Sequence, residues 1–109
     1  MAIEYNRATY ALTTSMADAF GPVGSGEVVI VKTIQLTNKD GTNAADATVQ
    51  LIDGSSNVTE QVKNLTIVAK DARPALVGPL NMITGDKLQM QASANGDIVA
   101  TISYMKVTP

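Results

Sequence analysis

The sequence predicts an all-β chain, a single antiparallel β-sandwich or jelly-roll-like domain of about 7–8 short strands. Apolar side chains recur at every second position almost throughout from residue 28 onward. Clusters of Asn, Asp, Gly and Ser interrupt that alternation roughly every 8–12 residues. The densest apolar stretch, Val28-Val29-Ile30-Val31, has strand length and is far too short to cross a bilayer. For a chain of 109 residues, size relations give roughly 5,800 Å² of folded surface and bury about 65% of the unfolded surface. One modest core is therefore expected, without disulfide staples.

Strands are expected near residues 7–14, 26–38, 46–53, 58–69, 74–78, 86–94 and 97–107. Residues 1–25 read as an N-terminal arm or edge segment. Within it, Ser15-Met16-Ala17-Asp18-Ala19-Phe20-Gly21 begins with a capping residue and stops at Gly21-Pro22, the signature of a short helix or turn. Residues 26–109 form the sandwich core. There Ile34 and Leu36 alternate with Thr33, Gln35 and Thr37, and Ala47, Val49 and Leu51 alternate with Thr48 and Gln50. Asn38-Lys39-Asp40-Gly41 closes one strand, and Asp53-Gly54-Ser55-Ser56-Asn57 is a polar loop. Leu65, Ile67 and Ala69 alternate, favouring a strand over one helical turn at 60–64. Leu88, Met90, Ala92 and Ala94 share one face of the penultimate strand. In the last strand Ile98, Ala100, Ile102 and Tyr104 share one face, and Val99, Thr101, Ser103, Met105 and Val107 the other. Asn95-Gly96 has the form of a two-residue hairpin, which makes these last two strands antiparallel partners.

Composition narrows the chemistry. The chain has no His and no Cys, so the commonest general base, thiolate nucleophiles and the usual zinc motifs are absent. No enzyme activity and no cofactor are expected. Asp40, Asp46, Asp53, Asp86 and Asp97 lie in or beside turns, where Asp hydrogen-bonds its own backbone. A hydrolase would need two convergent carboxylates; Asp53 with Asp97 is one such pair to consider. The loops at 38–43 and 53–57 carry oxygen ligands suited to calcium, but neither has EF-hand spacing, and no metal is expected. Eight basic and ten acidic residues are scattered and sum to −2. No basic stripe faces a phosphate backbone and no polybasic cluster faces lipid, so neither nucleic acid nor membrane is an expected partner. Nothing at the N-terminus reads as a secretory leader, and a soluble product made in a cytoplasm is expected.

What remains is protein contact. Ile3, Tyr5 and Arg7 lie in the polar N-terminal segment, and Tyr and Arg are enriched at interfaces. The alternative is an ordinary edge strand with a surface Tyr. Arg73, before Pro74, is a further candidate contact of the same kind. Phe20 and Tyr104 are expected in the core.

Residues 26–107 resemble a type of small virion structural protein of tailed bacteriophages. The features that carry the resemblance are Val28-Val-Ile-Val-Lys-Thr-Ile-Gln-Leu-Thr-Asn38, Asp46-Ala-Thr-Val-Gln-Leu51, Gly85-Asp86-Lys87-Leu88, Ala92-Ser-Ala-Asn-Gly-Asp97 and Ala100-Thr-Ile-Ser-Tyr104. The resemblance implies a particle component assembled in the bacterial host cytoplasm. A capsid decoration or cement protein bound to the major capsid protein fits it first, then a neck, tail or spike component. It also implies a homo-oligomer, with a trimer favoured. Residues 1–25 fall outside the resemblance and would supply the arm or edge strand that pairs with the shell. A glycan-binding sandwich is the alternative from another class, although such platforms stack ligands on several rings and this chain has only four.

Overall fold

A computed structural model describes residues 2–109. Nine strands follow one another: β1 (Ala2–Ala11), β2 (Ala17–Phe20), β3 (Val28–Asn38), β4 (Ala45–Ile52), β5 (Val58–Ile67), β6 (Ala72–Pro74), β7 (Leu80–Met82), β8 (Lys87–Ala92) and β9 (Ile98–Thr108). They form two sheets. One has the order β1-β9-β3-β6, with β7 also on β3; the other has the order β2-β8-β4-β5. Every pairing is antiparallel.

The pairing follows a simple rule. β6 lies against Gln35–Thr37 and β7 against Val29–Val31, so the two occupy one interrupted strand position beside β3. Counted so, the first strand pairs with the last, the second with the second-last, the third with the third-last, and β4 with β5. This is one long antiparallel hairpin rolled over on itself. It is the jelly-roll form of the sandwich.

Between the sheets lie the inward residues of the alternation: Leu12, Val31, Ile34, Leu36, Val49, Ile67, Met82, Leu88, Met90, Ile98 and Ile102 are all buried. Phe20 and Tyr104 pack against this core edge to face, with ring centroids 4.7 Å apart. The molecule exposes 5853 Å², in line with the area expected for its size.

Three expectations need correction. No helix forms at 15–21; Ala17–Phe20 is strand β2, paired with β8 through Ala17↔Met90 and Phe20↔Leu88. So short a helix has little cooperative stability of its own, whereas pairing on β8 docks Phe20 and lets Asp18 hold Gln89 at 2.8 Å and Lys87 at 3.2 Å. Of the expected 74–78 strand only Pro74 is strand, the last residue of β6; the rest is the break between β6 and β7, where Gly78 and Pro79 interrupt the ladder. Finally, Asn95-Gly96 is not a hairpin between paired strands: β8 and β9 belong to different sheets. The turn carries the chain across the end of the sandwich, pinned by Gly96 N–H to the Leu12 carbonyl and Lys39 N–H to the Asp97 carbonyl, both 2.9 Å. Asp53–Asn57 is the true hairpin loop, joining the paired strands β4 and β5.

Candidate functional site

Directly opposed residues of an antiparallel pair share a face of the sheet. Val29 and Val31 are buried between the sheets, so Val28 and Ile30 face outward. The register then sets two adjacent rows on the outer face of β1, β9 and β3. One row is Ile3, Val107 and Val28; the next is Tyr5, Met105 and Ile30. All six side chains are apolar or aromatic. Ile3 is 49% and Tyr5 71% exposed, and the other four are half-buried.

The third row changes character to Arg7, Ser103 and Thr33. Lys32 is the extra residue where the β3–β9 register shifts between Val31 and Thr33, and its Nζ lies 4.8 Å from the Tyr5 ring centroid. Two positive charges therefore border the apolar rows on one side. On the opposite face of the sheet, between the levels of the two apolar rows, Lys106 stands in line with Glu4 and Val29 and meets Glu27 at 2.8 Å. That contact holds the Glu27 carboxyl below its ordinary value and raises Lys106 above its own.

β1 is also an open edge. Leu12 N–H donates to the Ile98 carbonyl at 2.9 Å, in register with the β1–β9 ladder. Even-numbered residues of β1 therefore bond to β9, and the backbone groups of Ile3, Tyr5, Arg7, Thr9 and Ala11 turn outward. The Arg7 N–H is accepted by the neighbouring Asn6 Oδ1 at 2.8 Å. No register shift, Pro or Gly interrupts the ten residues. The other edges are blunted. β2 has four residues, β6 and β7 three each. β5 is long, but its register on β4 shifts twice, Asn64 has a φ of 49°, and Glu60 and Lys63 form an ion pair. Among the described residues, β1 is the one long, regular edge.

Of the sequence candidates, Ile3, Tyr5 and Arg7 come together on this face. Arg73 does not: it lies on β6 opposite Leu36, at the far side of the same sheet. Three inter-strand steps, about 14 Å, separate the two edges. Val28, Ile30, Lys32, Met105 and Val107 are not among the contact candidates the sequence singles out. A signal was there, because the unbroken run Val28–Val31 makes both faces of one strand apolar, as in strands covered on both sides. Arg73's side of the molecule holds a separate groove of about 550 Å³, lined by Gln61, Val62 and the Pro74–Leu80 segment, with Val77 fully exposed.

Asp53 and Asp97, the pair considered from the sequence, do not converge. Asp53 follows the end of β4, whereas the backbone carbonyl of Asp97 accepts the Lys39 N–H beside Asn38, which reaches Ile67 opposite Ala45 at the start of β4, so the eight residues of β4, about 26 Å, separate them. Asp53 accepts the N–H groups of Asn57 at 3.0 Å and Ser55 at 2.8 Å, which hold its carboxyl below the ordinary value. Asp40 is held down in the same way by the N–H groups of Thr42 and Asn43. Both carboxylates are held chiefly by the backbone of their own loops, and Asp40 also meets the side chain of Asp97. Among the described residues, no three acidic side chains gather as a metal ligand set would.

No protein-family model matches the chain, and no curated protein matches it in sequence. Two of the solved structures it matches show the same fold. One is of Bacillus endospore appendages, described as a novel family of disulfide-linked pili, with a TM-score of 0.55 and 10% identity over 96% of this chain and 84% of that one. The other is of infectious bursal disease virus, Gx strain, with a TM-score of 0.50 and 8% identity over 96% of this chain and 32% of that one.

Proposed function

We propose that this chain is a non-enzymatic structural subunit of a tailed-bacteriophage particle, a decoration protein that seats the outer face of β1, β9 and β3 on the major capsid protein. The observation that carries the reading is the pair of apolar rows, Ile3-Val107-Val28 and Tyr5-Met105-Ile30, on the outside of a sandwich whose core is already complete. Apolar side chains clustered on an outer face mark a surface that another molecule covers. Arg7 and Lys32 at its border suit an acidic rim on the partner, which would fix orientation more than it adds affinity. The likeness of residues 26–107 to tailed-phage virion proteins supports the particle, and the occurrence of the fold in a pilus and in a virus supports a role in an assembly.

Purified particles would contain the protein in copy number proportional to the shell lattice. A few copies per particle would move it to the neck or tail, and recovery only as free protein in lysate would overturn the reading. A double substitution, Tyr5→Ser with Met105→Ser, is expected to weaken binding to particles by at least about tenfold, because aromatic anchors dominate such contacts. Its urea unfolding should shift by no more than about 2 kcal/mol, since Tyr5 is exposed and Met105 is half-buried outside the core. Unchanged binding would remove the face from the interface.

A further inference from the structure

We infer that β1 pairs with β1 of a second copy across a two-fold axis, joining the two outer sheets into one. This deepens the reading of β1 as a docking element and rests on it, while naming a different occupant for the edge than for the face. The edge is available because the backbone groups of its odd-numbered residues turn outward and its ladder is unbroken over ten residues. What singles out a second copy is that the strand complements itself. Opposed residues must share a face, so odd positions meet odd and even meet even. Of the registers that satisfy this, one sets Glu4 against Glu4 and another Arg7 against Arg7, like charges that oppose pairing. The longest register free of both pairs Ala2 with Tyr10, Ile3 with Thr9, Glu4 with Ala8 and Tyr5 with Arg7, and places Asn6 against itself on the axis.

In that register Tyr5 and Arg7 of each copy meet twice, as aromatic and guanidinium partners on the outer face. Their outward backbone groups exchange the ladder bonds. The Arg7 N–H passes from the Asn6 side chain, which holds it at 2.8 Å in the single chain, to the Tyr5 carbonyl of the second copy. A two-fold axis normal to the sheet keeps both apolar faces on the same side. The result is one continuous sheet with the two sets of apolar rows flanking its centre, a broader platform for the same particle surface.

Asn6 supplies the test. It would oppose itself in a pair without ladder bonds, where Cα atoms are about 4.5 Å apart, within the range a disulfide spans. The chain has no other cysteine. Sedimentation of the purified protein should give twice the 11.4 kDa chain mass. Asn6→Cys should oxidise to a covalent dimer, and Tyr5→Cys should not. Tyr5→Arg should weaken the dimer about tenfold by setting Arg against Arg7 twice, and adding Arg7→Tyr should restore it, with circular dichroism unchanged in each. A monomer or a trimer in sedimentation, cross-linking through residue 5 in place of 6, or a swap that fails to restore pairing would overturn the inference. Particle binding by a wild-type monomer would sink this inference alone, and a dimer that ignores particles would sink the proposed function alone.

Discussion

Asn38 shows how a single polar side chain holds the two sheets in register. It is fully buried at the end of β3. Its Nδ2 donates to the carbonyls of Ile67, at 2.9 Å, and Asn43, at 3.0 Å, while its Oδ1 accepts the Asp40 N–H at 3.0 Å. Ile67 ends β5, which belongs to the other sheet, so the carboxamide bridges the layers. Asn38→Ala leaves the buried Ile67 carbonyl without that donor and is expected to cost about 2–3 kcal/mol in urea unfolding. Asn38→Asp should cost more at neutral pH, because its carboxylate would face two carbonyls with no proton to donate. In the sequence Asn38 reads as the strand-closing turn residue, which it is. Its burial was invisible, because the partner carbonyl at Ile67 is 29 positions away.

Among elements, β1 divides by burial. Residues 2–7 are exposed, whereas Ala8 and Tyr10 pack against the core and Leu12, just beyond, is buried. Deleting residues 1–7 should therefore leave the strand spectrum in far-ultraviolet circular dichroism intact and reduce incorporation into particles. Unfolding of the truncated chain would instead make the first half of β1 a structural strand and remove its docking role. β2 was hidden for a different reason: Ala-Asp-Ala-Phe has good helix formers behind a cap, and only the open side of β8 decides for strand. The misread hairpin at Asn95-Gly96 is of the same kind. Gly96 does take a positive φ of 74°, as its sequence suggests, yet the same turn serves a crossing between sheets as readily as a two-residue hairpin.

For the molecule as a whole, the nested pairing brings the two ends of the described chain together, with Ala2 opposite Thr108. Paired Cα atoms lie about 4.5–5.5 Å apart, so a short Gly/Ser link can join the ends. Reopening the chain in the exposed Ser55-Ser56 loop gives a permutant with β5 first and β4 last. That chain is again one long hairpin with the same nested order, so its mean sequence separation between partners hardly changes. It should fold to the same spectrum, with a refolding rate in stopped-flow within about tenfold of the parent. A permutant that does not fold would show that the β4–β5 hairpin must form first.

The sequence by itself determined the class of architecture and the inward face of most strands, because period-two alternation is a local property that burial on one side of a sheet imposes directly. It also determined where the chain turns, since Asn, Asp and Gly meet turn geometry within a few residues. Tertiary structure alone decided which sheet each strand joins, and with it the jelly roll, β2 and the crossing at Asn95-Gly96. It alone decided that Ile3 and Tyr5 would stand beside Val28, Ile30, Met105 and Val107. The rows run across strands that are up to about a hundred positions apart in the chain, and long-range register is set by packing, which no local pattern encodes.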